Sequence, residues 1–205
     1  MSLDEWHLVF VSVCIVVAVT ICYPLVMTYL PSKSESFFAL AILGEDCMAE
    51  HYYPGGDSNI AVDTEVHWFL YLYNHMGDPQ QVAVRVKLLN STMLAPNSTS
   101  CSPSSAPIVY EIQWVLMDNE TWICPFSWSI EAIDRVGDFV ELKVLSINND
   151  AIPVYVNAIK GHNFRICLEL WMYNESSKEF QFGWLDGDKM LCTWNQIWFN
   201  VTAPV

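Results

Sequence analysis

The chain has 205 residues, with 23 acidic against 9 basic side chains and a formal net charge of −14. That excess argues against binding nucleic acid or the face of an anionic bilayer, since both need basic patches. Hydrophobic residues make up 53%, enough for one proper core once an apolar N-terminal segment is set apart.

Residues 8–30 carry no charge and are almost wholly apolar. At about 1.5 Å per residue a helix of this length reaches roughly 34 Å, against a hydrocarbon core of about 30 Å. The expectation is one N-terminal transmembrane α-helix, with residues 1–30 forming a polar cap and anchor. Trp6 and Tyr29 stand near its ends, where aromatic rings favour the interface, and Pro24 is tolerable within a membrane helix. A cleavable signal peptide fits less well, because there is no basic start, the apolar run is too long and no A-x-A site follows. Cys14, Ala18 and Cys22 recur every four residues, a stripe of small side chains that lets helices approach closely. Ser12, Thr20 and Thr28 add hydroxyls for helix–helix hydrogen bonds. Residues 31–36 read as a short linker and 37–205 as one domain.

The first strand is expected at 37–43, followed by an irregular stretch to residue 59. Residues 61–75 alternate, with Val62, Thr64, Val66, Trp68, Leu70 and Leu72 on one face and His67, Phe69, Tyr71 and Tyr73 on the other. That pattern predicts a central strand covered on both sides. After the Gly77-Asp78-Pro79 turn, 81–89 alternates again, with Arg85 and Lys87 on an outer, half-exposed face. Residues 90–105 read as an exposed loop. Further strands are expected at 108–116, 121–130 and 163–173. Two hairpins follow from turn residues: 139–147 with 152–158 around Asn148-Asn149-Asp150, and 180–184 with 190–194 around Asp186-Gly187-Asp188. Residues 197–202 form the last strand. Nine or ten short strands predict a mainly β fold, an antiparallel immunoglobulin-like β-sandwich.

Five N-glycosylation sequons begin at Asn90, Asn97, Asn119, Asn174 and Asn200, all beyond the apolar helix. They outweigh the single Lys33, which by the positive-inside rule would hold the domain in the cytoplasm. The expected placement is N-terminus cytoplasmic, domain extracellular. Of the later cysteines, Cys167 and Cys192 are the favoured disulfide pair. Cys101 could reach Cys47 or Cys124, and a fully reduced set is the alternative.

Several short pieces then carry a resemblance: Leu43-Gly44, Ala49-Glu50, Tyr53-Pro54-Gly55, Asn74-His75, the run from Arg165 through Trp171 to Asn174, and residues 194–202. Together they resemble the extracellular domain of archaeal membrane proteins in domain-of-unknown-function family sixteen-sixteen. The resemblance implies a surface-exposed β-domain on an archaeal membrane and supplies no catalytic residues. The chain departs from the family at Cys47, where glycine is frequent, and in having one membrane helix where members often have several.

No catalytic template is present: no G-x-S-x-G, Walker A loop, H-E-x-x-H or GxGxxG. Cys47, Glu50 and His51 sit in a loop and make a poor metal set. Glu45 with Asp46, Asp57 with Asp63, and Asp186 with Asp188 match no calcium loop. His75 reads as a turn residue. Most of the tryptophans read as core, with Trp122 and Trp184, near turns, the best placed for an exposed contact. The expectation is therefore a non-enzymatic single-pass surface protein, with no metal, no cofactor and no nucleic acid. Its partners would be the lipid bilayer, N-linked glycans and other membrane or envelope proteins. The alternative is an extracellular module binding carbohydrate or a metal ion.

Overall fold

The computed structural model describes residues 3–29 and 35–202. The chain divides into two units, Met1–Glu35 and Ser36–Val205. In the first, α1 (Leu3–Tyr29) is one helix of 27 residues. Its described side chains, residues 6, 7 and 9–23, are all exposed, Cys14, Ala18 and Cys22 among them. Thr20 Oγ1 donates to the Val16 carbonyl at 2.7 Å, so that hydroxyl is occupied by its own helix. Among the described residues no helix is long and apolar enough to cross a membrane. The expectations for the side chains of Pro24, Thr28 and Tyr29, and for Leu30, Lys33 and most of the linker, lie outside the described residues.

The second unit is mainly β. Its strands are β1 (Phe37–Leu43), β2 (Asn59–Ala61), β3 (Val66–His75), β4 (Gln80–Leu89) and β5 (Tyr110–Leu116). Then come β6 (Thr121–Val136), β7 (Phe139–Ile147), β8 (Asp150–Ile159) and β9 (Phe164–Asn174). The chain ends with β10 (Glu179–Phe182), β11 (Trp184–Asp186), β12 (Lys189–Leu191) and β13 (Trp194–Thr202). One sheet runs β1-β3-β6-β7-β8 and a second β2-β13-β9-β4-β5, with β10 added beside β9 and β11-β12 as a separate ribbon. Pairing is antiparallel except between β2 and β13, which run parallel.

Both large sheets feed one core. The buried set on β3, Val66, Trp68, Leu70 and Leu72, is the alternation read from the sequence. Trp68 stacks on Phe126 (6.1 Å) and meets Trp128 edge-on (5.3 Å). Trp128 in turn packs on Phe199 of β13 at 4.8 Å, which carries the aromatic cluster from the first sheet to the second. Each such fully buried side chain contributes about 1.5–3 kcal/mol.

Several expectations need correction. β3 begins at Val66, because Asp63 adopts a left-handed φ of 65° and ends the alternation before it. Its second face is only half-covered, with His67 exposed. β4 is not half-exposed: Ala83, Lys87 and Leu89 are buried on its outer side, because the loop after it folds back over that face. β6 runs on to Val136 and turns at Gly137-Asp138 into β7, a hairpin the sequence reading missed; Gly137 takes the φ of 63° that this tight turn requires. The Asn148-Asn149 hairpin forms as a two-residue turn, with Ile147 facing Asp150. Residues 179–182 pair with β9 and not with 190–194; only Trp184–Asp186 and Lys189–Leu191 form the second expected hairpin.

Candidate interaction surface

β5 ends its sheet, with β4 as its single neighbour. Its sequence, YEIQWVL, has one charge, no proline and an unbroken register with β4. Trp114 is 45% exposed and stacks on Trp122 at 5.1 Å and 14°. Val115, Met117 and Ile123 are exposed beside them. Gln81, Gln113, Trp114 and Val115 line a shallow groove of about 360 Å³. This is an apolar, unblunted sheet edge, the kind that pairs with another chain unless something covers it.

The edge is held firmly from behind. Asn74 is fully buried, and its Nδ2 donates to the carbonyls of Leu116 (3.0 Å), Met117 (3.1 Å) and Asp78 (3.0 Å). Its Oδ1 accepts from Met76 N at 3.0 Å. The Asn74-His75 pair therefore has a physical role, but asparagine supplies it. The His75 ring meets Asn119 Oδ1 at 2.7 Å. Near the start of β5, Glu111 accepts from Arg85 Nε of β4 at 2.6 Å, while the Arg85 guanidinium lies 4.1 Å over the Trp171 ring. Partial burial raises the pKa of Glu111, but hydrogen bonds from Gln113 and Arg85 and the Arg85 charge prevail and hold it below the usual carboxylate value.

Beneath lies a buried ion pair. Lys87 Nζ sits 2.9 Å from Glu169 Oε2, with both side chains at 4% exposure or less. Lys87 also donates to Ser104 O (2.6 Å), and Glu169 accepts from Ser104 N (2.7 Å) and Trp171 Nε1 (3.0 Å). This network pins the 90–109 loop onto β4 and β9 and explains why that face of β4 is closed. Burial, with the Glu169 charge, pushes the neighbouring Cys167 up to about 12.

The other sequence candidates scatter. Trp184 is buried, edge-on to Phe38 at 5.3 Å and donating to Ser36 O at 3.2 Å, so it is core rather than contact. Asn90 is 8% exposed; its Nδ2 donates to Asn157 O of β8 (2.8 Å), and its Oδ1 accepts from Thr92 and Met93. Asn97 is exposed, its Oδ1 capping the Thr99 and Ser100 amides. Asn119 is exposed and donates to Asp118 at 2.6 Å. Asn174 donates to Gln181 (3.0 Å), and Asn200, within β13, donates to Asn59 (3.0 Å).

Cys167 lies in β9 opposite Gln196, while Cys192 stands against Cys101. Burial first, then the hydrogen bond and charge of Cys101, push Cys192 up to about 12. Cys124 is half-buried on β6, its thiol raised by burial and donating to Pro125 O at 3.3 Å. Cys47 is exposed in the loop after β1. In that loop Gly44 is obligatory, because a Cβ there would stand 2.0 Å from Glu50 O.

A second, polar cavity of about 430 Å³ gathers Asp63, Glu65 and Glu131 with Ser127, Ser129 and Ser146. Among the described residues no three His, Cys, Asp or Glu side chains stand close enough to hold a metal ion. Trp114, Val115 and Met117 were missed as candidates. Their signal was present: a strand with one charge and no proline, ending in an apolar run.

No family model matches the chain, and no curated protein matches it. Among solved structures it is similar to the CARDB domain of the PF1109 protein from Pyrococcus furiosus, in complex with di-metal ions. The identity is 9% over 82% of this chain and 90% of that one, with a TM-score of 0.36. It is also similar to a β-glucosidase from Listeria innocua in complex with gluconolactone, at 12% identity and a TM-score of 0.35; that match covers 83% of this chain and 16% of the glucosidase. Neither likeness carries an argument about ligand or activity.

Proposed function

We propose that this chain is a non-enzymatic, single-pass surface protein whose β-domain, immunoglobulin-like in its layering, binds another protein of a membrane or envelope assembly along β5. One observation carries the reading: the only charge on that sheet edge, Glu111, is turned to Arg85, while Trp114, Val115 and the adjoining Met117 are left exposed. The occupant is an extended segment of the partner, adding a strand beside β5 with apolar side chains over Trp114 and Trp122. With a net charge of −14 on this chain, the flanks of that segment are neutral or basic.

The anchor, the external placement and membership of the archaeal family belong to the same proposal. The uncharged run at 8–30 and the five sequons support it. Asn97 is the sequon best placed for sugar in the folded domain, since its acceptor oxygen is used locally while the residue stays exposed; the Asn90 amide is buried. A sugar at Asn97 in protein from its native host fixes the domain outside. A membrane-inserted protein protected from external protease would place it inside.

To test the surface, a photo-cross-linker is set at Val115 and, separately, at Tyr155 of β8. Cross-links at Val115 to one partner peptide, with none at Tyr155, are expected. Equal labelling at both positions would remove β5 as the docking edge. A second reading, carbohydrate stacking on the exposed Trp114 ring, rests on the same residue; glycan binding by the external domain that is lost in Trp114→Ala would favour it.

A further inference from the structure

We propose that Cys101 and Cys192 are the pair that closes into a disulfide when the domain meets an oxidising compartment, fastening the 97–102 loop to the segment between β12 and β13. Two contacts bracket the pair. Cys101 Sγ lies 3.4 Å from the carbonyl of Met190, two residues before Cys192. Trp194 Nε1, two residues after it, donates to Ser98 Oγ at 2.9 Å. The loop is ordered before any bond forms: Asn97 N donates to Ser102 O (2.9 Å) and Ser102 N to Asn97 O (3.1 Å), closing a ring of six residues. Within it Cys101 takes a left-handed φ of 45°, and its thiol faces the Met190 carbonyl of the segment that carries Cys192. The other cysteines are elsewhere. Cys167 is sealed in β9, Cys124 lies on β6, and Cys47 sits in the loop after β1. The sequence favoured Cys167 with Cys192, but the strand register puts Gln196 opposite Cys167.

The chemistry is thiol–disulfide exchange. A thiolate of the pair attacks one sulfur of an acceptor disulfide, either oxidised glutathione or a dithiol–disulfide oxidoreductase, and expels one acceptor thiolate. The second cysteine, as thiolate, then attacks the protein sulfur of the mixed disulfide and expels the other. The pair loses two electrons and two protons, and the acceptor takes up both as two thiols. The bond ties residue 101 to residue 192 across much of the domain, a long closed loop of the kind that most restricts the unfolded chain.

The compartment in this inference rests on the external placement proposed above; the pairing does not. The test uses the full-length chain in mild detergent, treated with oxidised glutathione and mapped as non-reduced peptides. A Cys101–Cys192 linked peptide is expected, with melting lowered by roughly 5–15 °C on reduction. Cys101→Ser and Cys192→Ser should each melt like the reduced protein and show no further shift. Reduction of the unmutated protein supplies the same reading if either variant folds poorly. A Cys167–Cys192 peptide, or folded protein that yields no link after oxidation, overturns the pairing. The bridge in protein alkylated at the moment of cell lysis supports both pairing and placement. A bridge that forms only with added glutathione upholds the pairing and overturns the placement.

Discussion

β5 and β8 each end a sheet, and they end it differently. β8 is blunted. Pro153 removes a backbone donor, a bulge breaks its register with β7 at Leu142 and Val144, and Tyr155 within that bulge takes a φ of 52°. Asn90 occupies the Asn157 carbonyl, and Lys143, bonded to Glu141 at 2.5 Å, lies 5.5 Å over the Tyr155 ring. β5 has none of these devices. Its register is regular, its one charge faces β4, and tryptophan, valine and methionine are left at the surface. The docking proposed above uses the edge that lacks these devices.

The contrast holds only while β5 is rigid, so the largest expected effect comes from loosening what lies behind it. Glu169→Ala leaves Lys87 buried without its counter-charge and should cost about 3–5 kcal/mol in chemical denaturation. Lys87→Met combined with Glu169→Leu should recover much of that loss. Next come the edge itself and its control. Trp114→Ala or Val115→Lys should weaken partner binding by about 2 kcal/mol or more, with stability changed by no more than about 0.5 kcal/mol for Val115→Lys and by about 1 kcal/mol for Trp114→Ala, which loses its stacking on Trp122. Tyr155→Lys on β8 should leave binding unchanged.

Asn90→Ala exposes the contrast from the other side. It frees the Asn157 carbonyl and should lower stability by about 1–2 kcal/mol and raise self-association, read by light scattering. The smallest effect is a pH dependence. The carboxyl of Glu111 is held below its unfolded value, so its contribution is fully present at neutral pH and falls away in acid, as pH drops through the folded pKa. Glu111→Gln should lower the neutral plateau of the melting-temperature profile slightly and flatten its acid limb, with little change at the acid end.

Much of this fold was legible in the sequence. Period-two alternation located β3 and its buried face, and Asn148-Asn149 announced its hairpin, because those signals are local. β1 was placed to the residue. What failed depended on distant partners. Arg85 and Lys87 read as an exposed face, since nothing near them in the chain reveals that Glu111, Ser104 and Glu169 return to meet them. β2 was missed because three residues paired in parallel with the C-terminal strand leave no pattern. Trp184 was misassigned for the same reason: its neighbours Phe38 and Ser36 are far away along the chain. The edge residues were visible as a charge-poor strand, but only the sheet order shows that β5 is an edge.

Native mass spectrometry of the full-length chain, extracted in mild detergent from its own host, tests the central claim most directly. The unmodified protein should carry a stoichiometric partner that Val115→Lys loses and Tyr155→Lys keeps. A clean monomer, or a partner retained by Val115→Lys and lost with Tyr155→Lys, would contradict it.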